Sequence, residues 1–401
     1  MSSTPVFPPE IEETIIDVFA DNEDHSSLKT CSLVCQAYLP ICRKRLFASV
    51  VLNDDLLPGV PGLNTAVLER LLSARPEIAD YVRKLKFNIR VEDLTNPTIQ
   101  ESLMRLSRLE SLTIHHRNRP RLDWSNNSIR PALLHLLHLP TLTHFKISYV
   151  DNFVVSDLAP CVNLKHLEIG HHTSAADTAS FPETQPARSV RLHELTAGVA
   201  APTAILELCN ARRSDGQPVV DFKSLSKITV MVEKPLEGEV AQELFRHCEK
   251  LTDVNVFFFD PIDVRPSLVT ILRPSMLTLK HITVNIHVND NYEDPLFGMP
   301  AEFEDMHAEN IIESITIKVL VQMDVRCSAG DAWGKLDEVL TKSGWSALKR
   351  VSLAIEVACY SRVPGDNELE AALRKLPETQ FRRLSASESV AFDFNIISTL
   401  V

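Results

Sequence analysis

The sequence predicts an α/β protein in two parts, a short helical bundle in residues 5–50 and a series of strand-helix repeats in residues 51–401. Two observations support this division. A six-residue pattern, apolar-x-x-apolar-x-apolar, occurs eleven times between Val82 and Ala386, and the segments between its copies read mostly as helix. Residues 6–50 do not follow this pattern and instead have the apolar spacing of short helices.

The copies of the pattern return at a nearly regular distance. They begin at residues 82, 109, 142, 164, 192, 225, 251, 279, 312, 348 and 381. The average spacing of about 30 residues lies in the range of repeats that are built from one strand and one helix. Since one strand and one helix cannot enclose a hydrophobic core alone, such units become stable when neighbouring copies stack.

The last three positions of each copy alternate apolar, polar and apolar, which predicts a β-strand with one buried face. The central position is polar in all eleven copies: Lys86, Thr113, Lys146, Glu168, Thr196, Thr229, Asn255, Thr283, Thr316, Ser352 and Ser385. We therefore expect these side chains to form a row on the accessible face of a sheet. The alternative is a conventional doubly wound α/β sheet, although its strands are buried on both faces and do not favour a polar centre.

Amphipathic helices are expected between the strands. Residues 64–81, 239–248 and 368–376 carry apolar side chains at helical spacing. Three further stretches, 170–186, 211–218 and 290–309, read as loop insertions, and the acidic third one is expected to project as a mobile recognition loop.

The repeated pattern resembles the leucine-rich repeat over roughly three quarters of the chain. It lacks the asparagine that usually follows the last apolar residue in that family, and its copies are unevenly spaced. The resemblance implies an irregular leucine-rich-repeat-like solenoid of about eleven strand-helix units, with a concave sheet that binds other proteins.

Three short helices are expected in the N-terminal bundle. The first begins at the consecutive prolines at positions 8 and 9. Its apolar face consists of Ile11, Ile15, Val18 and Phe19. Ser26 or Ser27 is the expected N-cap of the second helix, and the third covers residues 38–47.

Three segments of this bundle resemble the F-box: Phe-Pro-Pro-Glu-Ile at 7–11, Leu-Lys-Thr-Cys-Ser-Leu-Val-Cys-Gln-Ala-Tyr at 28–38 and Arg-Leu-Phe at 45–47. The resemblance implies an F-box-like module that docks onto the Skp linker subunit of an SCF-type E3 ubiquitin ligase. The implied contact residues are Pro8, Pro9, Ile11, Leu33, Val34, Cys35 and Tyr38. Phe7 stands where leucine is usual, and Tyr38 and Phe47 stand where the family prefers tryptophan.

A target-binding surface is expected around the segment 254–259. Alternation directs Val254, Val256 and Phe258 inward and Phe257 and Phe259 outward. With the outward positions of the neighbouring copies, the predicted target-binding residues are Met231, Phe257, Phe259, Asn285 and His287. The alternative is that the strand ends by Phe257 and that a loop or helix covers the two rings.

The composition restricts the possible partners. The chain of 401 residues has 41 basic and 53 acidic side chains and a net charge of −12, which argues against a nucleic-acid partner. No apolar run approaches the ~20 residues that cross a bilayer, and residues 1–10 lack the apolar core of a signal peptide. We therefore expect no membrane partner and a location in the cytosol or nucleus.

Neither a metal, a cofactor nor an enzyme activity is expected. The eight cysteines do not form a disulfide framework. Cys31, Cys35 and Cys42 share a helical spacing, while Cys161, Cys209 and Cys248 are expected in the core. The eleven glycines do not form a dinucleotide-binding, phosphate-binding or nucleophile-elbow motif.

The two resemblances together imply a substrate-recognition subunit of an SCF-type ligase. The bundle would dock the Skp linker, and the concave face of the solenoid would bind a target protein. The alternative is a Skp-independent protein-interaction scaffold whose helical bundle serves only as an N-terminal cap, since repeat arrays require capped ends.

Overall fold

The chain is a mixed α/β protein with a large parallel sheet. The computed structural model describes residues 9–21, 24–34, 36–53, 63–116, 119–176, 188–259, 266–288, 294–306, 310–322, 330–359, 371 and 373–400. It has two compact units, of which the first is Met1–Leu164 with Ala176–Val190 and the second is Lys165–Ala175 with Arg191–Val401. Each unit is described separately below.

The first unit begins with three helices, α1 (Pro9–Asp21), α2 (His25–Val34) and α3 (Tyr38–Leu46). Their buried cluster consists of Ile16, Leu28 and Cys42. The N-cap predicted at Ser26 or Ser27 is wrong, because the Asp24 carboxylate precedes α2 and accepts a hydrogen bond from the Ser27 backbone N–H at 3.0 Å. The short side chain of an aspartate at this position can accept a hydrogen bond from one of the N–H groups of the first turn, which have no partner within the helix.

Strands and helices alternate in the rest of the first unit. In chain order they are β1 (Ser49–Leu52), α4 (Thr65–Ala74), β2 (Lys84–Asn88), α5 (Pro97–Met104), β3 (Ser111–His115), α6 (Arg130–Leu137) and β4 (His144–Ser148). Each strand pairs in parallel with the next, so that Lys86, Thr113 and Lys146 occupy one row. Three-ten helices occur at Pro76–Asp80, Val91–Thr95 and Val155–Leu158.

Strand β1 is a copy of the pattern that the sequence prediction did not include. Phe47, Val50 and Leu52 have the required spacing, and Val50 and Leu52 are buried opposite Leu85 and Phe87. The central position of this copy is an apolar valine rather than a polar residue, and the segment directly follows α3. The predicted boundary between the bundle and the repeats, after residue 50, therefore falls within this strand.

The helix predicted for residues 64–81 is interrupted. The Asn64 side chain caps α4 by accepting a hydrogen bond from the Val67 backbone N–H at 2.9 Å. Because Pro76 has no N–H to continue the helical ladder, α4 ends at Ala74 and a three-ten helix follows.

The second unit continues the alternation. In chain order its elements are β5 (His166–Ile169), β6 (Glu194–Ala197), α7 (Pro202–Asn210), β7 (Lys227–Val232), α8 (Pro235–Arg246), β8 (Asp253–Phe258), α9 (Leu268–Leu272), β9 (His281–Val288), α10 (Met299–Met306), β10 (Ser314–Gln322), α11 (Asp331–Leu340), β11 (Arg350–Cys359), α12 (Leu376–Thr379), α13 (Arg382–Ser385) and β12 (Ala391–Leu400). Three-ten helices occur at Phe222–Ser224 and Arg273–Ser275.

The strands of the second unit pair in parallel and in chain order from β5 to β12. This order differs from that of a doubly wound sheet, in which the strand order reverses at a switch point. The register places the predicted polar positions in one row: Glu168, Thr196, Thr229, Asn255, Thr283, Thr316 and Ser352. The strand prediction is therefore confirmed for ten of the eleven copies.

The eleventh copy is a correction. Residues 381–386 include helix α13, and its apolar residues Phe381 and Leu384 are buried. The Asp337 carboxylate of α11 accepts hydrogen bonds from the backbone N–H groups of Arg383 and Leu384 at 2.9 and 2.8 Å, which stabilises the first turn of this helix. The strand follows as β12, and Ser389, two residues before it, occupies the position at which the pattern requires an apolar residue.

The acidic segment 290–309 also differs from the expectation. Its described part, residues 294–306, contains α10, and Leu296, Met299 and Phe303 are fully buried. A projecting loop is therefore the wrong interpretation for these residues, because their apolar side chains pack into the core. Residues 211–218 do form a loop, closed by an antiparallel bridge between Arg212 and Pro218. Of the predicted loop 170–186, residues 177–186 lie outside the described residues.

Candidate functional site

Strand β8 directs two phenylalanine rings to the accessible face of the second unit's sheet. Val254, Val256 and Phe258 are buried, whereas Phe257 and Phe259 are half-buried. The predicted facing of these residues is confirmed. The strand also does not end by Phe257, since the Phe259 N–H donates a hydrogen bond to the Val232 carbonyl oxygen at 3.3 Å and so continues the pairing beyond β8.

The parallel register arranges the neighbouring outward residues in two rows that cross the strands. The first row is Met231, Phe257, Asn285, Lys318 and Ala354. The second row is His287, Leu320, Glu356 and Ile397, with Phe259 following β8 at the same end. We call these ten residues the aromatic patch. All five target-binding residues predicted from the sequence lie within it.

Ring contacts and hydrogen bonds hold part of the aromatic patch in a defined arrangement. The rings of Phe257 and Phe259 are nearly parallel with centroids 6.4 Å apart, and the His287 ring meets Phe259 edge-on at 5.6 Å. The Asn285 amide nitrogen donates to the Asn255 side-chain oxygen at 2.5 Å and to the Val256 carbonyl at 3.2 Å. Residues that are ordered before binding lose less conformational entropy when a partner arrives.

The aromatic patch lines an open cavity with a volume of about 540 Å³, and His171 lines the same cavity. Ile397 is 50% exposed, and the charged side chains of Lys318 and Glu356 are exposed as well. A half-exposed apolar surface with a few charged residues has the composition of a protein-binding site.

Sequence reasoning did not include the half of the aromatic patch that lies on β10, β11 and β12. Lys318 and Glu356 could have been found, because each is a charged residue between two apolar residues beyond the six-residue pattern. Leu320 and Ala354 are apolar themselves and carry no such signal. Ile397 could not, since β12 itself was not predicted.

The N-terminal helices present a second apolar surface. Leu33 and Val34, at the end of α2, are 86% and 68% exposed, and Ile11 at the start of α1 is 47% exposed. Ile15 and Val18 are also exposed, so three of the four residues of the predicted apolar face of α1 point to solvent. The fourth, Phe19, packs against the cluster that contains the buried Ile16.

The other residues expected to contact the Skp linker differ in position. Tyr38 is half-buried against the Ile16, Leu28 and Cys42 cluster rather than on the exposed surface. Pro9 is the first residue of α1. Pro8 and Cys35 lie outside the described residues.

A larger concavity of about 690 Å³ lies at the turns that precede β9 to β12. Its three lysines are ion-paired, because the Glu313 carboxylate lies 2.5 Å from Lys349 and 3.4 Å from Lys280, and the Glu304 carboxylate lies 2.6 Å from Lys342. Hydrogen bonds from Lys349 and Lys280 lower the pKa of Glu313. Among the described residues, no group of three or more His, Cys, Asp or Glu side chains is arranged to hold a metal ion.

The expected core position of Cys161, Cys209 and Cys248 is confirmed. All three are buried, and burial raises the pKa of each thiol to about 12. A thiol with such a pKa is a poor nucleophile, since the thiolate is the reactive form. Cys31 and Cys42 belong to the packing of the three N-terminal helices.

No helix in the described part of the chain combines the length and apolar character required to span a membrane. Comparison with known proteins found no family model that matches the chain and no curated protein with significant similarity to it.

Proposed function

We propose that this chain is a substrate-recognition subunit of an SCF-type E3 ubiquitin ligase. The observation that carries the proposal is the exposure of Leu33 and Val34, two large apolar side chains that stand outside the helical core in the segment that resembles the F-box. Each apolar residue that is fully buried by a partner contributes about 1.5–3 kcal/mol before the costs of association. In this proposal the exposed residues of α1 and α2 dock onto the Skp linker.

The second part of the proposal concerns the repeats. Parallel strands in chain order with intervening helices support a leucine-rich-repeat-like solenoid, in which each unit covers the apolar face of its neighbour. The accessible sheet face then binds the target at the aromatic patch. The chain contributes binding surfaces only, and other subunits carry out ubiquitin transfer.

Co-purification with the Skp linker subunit tests the docking step. We expect the intact chain to capture the linker and Leu33→Asp/Val34→Asp to lose at least tenfold in affinity, because two charges would enter an apolar interface. Leu277→Asp is a control for a charge at an exposed apolar position, since Leu277 is 74% exposed in the second unit, far along the chain from α2.

Equal capture by the intact chain and by Leu33→Asp/Val34→Asp would contradict the proposed docking surface. No capture by the intact chain would favour the alternative, a Skp-independent scaffold. In that alternative the helices serve as a cap, and the exposed residues of α2 have no partner role.

A further inference from the structure

Lys318 is an exposed cation in the middle of the aromatic patch. It lies on β10 beside Asn285 on one strand and Ala354 on the other. Within the described ranges no ion pair or hydrogen bond of its ammonium group is found. Five other lysines of the second unit do pair with a carboxylate, as Lys227 does with Glu194. An unpaired cation among apolar side chains is a recognition feature, because a carboxylate placed there is partly desolvated and its attraction is strengthened.

The aromatic patch is long and narrow. Adjacent strands lie ~4.8 Å apart, so the five intervals from Met231 on β7 to Ile397 on β12 span about 24 Å across the strands. The two rows are two residues apart along each strand, which is about 6.6 Å. This width fits one polypeptide segment, and the length corresponds to about seven extended residues or about 16 helical residues.

The charges within the aromatic patch have a definite order. Moving from β7 towards β12, a partner segment meets the apolar side chains of Met231, Phe257 and Phe259, then Lys318, then Glu356 and finally Ile397. A segment that complements this order has an apolar residue, an acidic residue, a basic residue and a second apolar residue. Glu356 also interacts elsewhere in the chain, so the contact between Lys318 and the acidic residue is the stronger determinant.

We infer that the partner of the aromatic patch is a linear protein segment with an acidic residue between apolar residues, whose carboxylate pairs with Lys318. The inference rests on the proposed target-binding role of this surface and specifies the chemistry of the target. A nucleic acid does not fit, because a patch with one lysine and one glutamate has no net positive charge.

Peptide selection on the purified full-length chain tests this inference. A phage-displayed library of random linear 16-residue peptides is selected in parallel on the wild type, on Lys318→Glu and on Lys335→Glu. Lys335 is an exposed lysine on α11, outside the aromatic patch, so the control carries the same change of net charge. Because Lys318 and Lys335 are exposed, we expect both variants to fold, which circular dichroism checks.

We expect the wild type and Lys335→Glu to select peptides that share an acidic residue flanked by apolar residues. Lys318→Glu is expected to select a basic residue at the same position. A synthetic peptide of the wild-type consensus should bind Lys318→Glu at least tenfold more weakly in fluorescence anisotropy, and its acid-to-lysine variant should regain affinity for Lys318→Glu.

A fourth selection, on Phe257→Ser/Phe259→Ser, removes both outward rings. Two results would overturn the inference: the same consensus from the wild type and both lysine variants, or no enrichment on the wild type over Phe257→Ser/Phe259→Ser. These results are separable from failure of the proposed function. Loss of Skp capture with a charge-dependent consensus would remove the ligase role and leave the peptide site. Skp capture without any peptide consensus would leave the ligase role and remove the peptide site.

Discussion

Buried carboxylates in this protein accept hydrogen bonds from backbone N–H groups of neighbouring segments. Asp337 is 3% exposed and accepts from two N–H groups of α13. Glu237 in α8 is 8% exposed and accepts from the N–H groups of Ala200, Glu233 and Lys234 at 2.7, 2.5 and 3.0 Å. Such charge-assisted bonds are stronger than neutral ones. These two carboxylates therefore stabilise the contacts between neighbouring strand-helix segments within the second unit.

Replacement of Asp337 tests this role at the residue scale. Asp337→Ala leaves two N–H groups without partners, and we expect the free energy of unfolding to fall by about 2–4 kcal/mol in urea titrations. The adjacent Glu338→Ala is the control, because its ion pair with Arg383 is exposed and we expect a change below about 1 kcal/mol. Equal losses in the two variants would show that the buried hydrogen bonds are not the cause.

The two outward rings of β8 should contribute to binding more than to stability. We expect Phe258→Ala to lower the free energy of unfolding by about 3–5 kcal/mol, because its ring is fully buried. Phe257→Ala and Phe259→Ala should each lower it by about 1 kcal/mol, since their rings are half-exposed before truncation. If either outward substitution were as destabilising as Phe258→Ala, the rings would belong to the core and the aromatic patch would not be a binding surface.

At the scale of elements, two helices contain a glycine with different surroundings. A Cβ atom at Gly238 in α8 would lie 2.3 and 2.5 Å from ring atoms of Pro266. At Gly334 in α11 it would lie 2.7 Å from the end of the flexible Gln380 side chain. The proline ring cannot move aside without shifting its backbone, whereas the glutamine side chain can rotate.

We therefore expect opposite results from the same substitution in the two helices. Gly238→Ala should lower the unfolding free energy by about 1–3 kcal/mol, because the added methyl group overpacks the contact with Pro266. Gly334→Ala should be neutral or stabilise by up to about 1 kcal/mol, as alanine has the higher helix propensity. Thermal unfolding of the two variants measures the difference, and a stabilised Gly238→Ala would contradict the close packing at α8.

At the scale of the whole molecule, carboxylates determine the response to acid. Burial raises the pKa of Glu194, but hydrogen bonds and charge from Lys227 and His166 outweigh it, so that the pKa is lowered. Hydrogen bonds with Ser27 lower the pKa of Asp24, and at Asp123 the hydrogen bonds of Ser125 and Asn152 outweigh burial. The pKa of Asp294 shifts the other way, because burial raises it above the usual value.

The sign of the pH dependence follows from these shifts. A carboxyl group with a lowered pKa in the folded state stabilises the protein above its unfolded pKa, and this stability is lost as the pH falls through the folded value. Since lowered values outnumber raised ones among the described carboxyl groups with resolved shifts, we expect the melting temperature to fall as the pH decreases below about 4.5. A melting temperature that rose between pH 5 and pH 3 would contradict this balance. In Asp294→Asn the fall should be steeper, because Asp294, the one described carboxyl group with a raised pKa, opposes the loss by gaining stability on protonation.

The aromatic patch was half predictable, because its residues follow from strict alternation on strands that share one register. Ten strands could be located from the six-residue pattern alone, since a buried face requires an apolar residue at every second position. The five predicted patch residues therefore lie together, as Phe257 and Asn285 do on adjacent strands. The remaining patch residues lie on the parts of β10 to β12 beyond the six-residue pattern, and the pattern does not predict how long these strands are.

Local sequence by itself determined the alternation of strand and helix and the side on which each strand residue points. Only the tertiary structure decided which apolar residues remain exposed, as Leu33 and Val34 do, because exposure depends on what the rest of the chain covers. It also decided that residues 381–386 form a helix, since the stabilising carboxylate of Asp337 is 46 residues away from Arg383 in the chain. Long-range contacts of this kind leave no signal in the spacing of neighbouring residues.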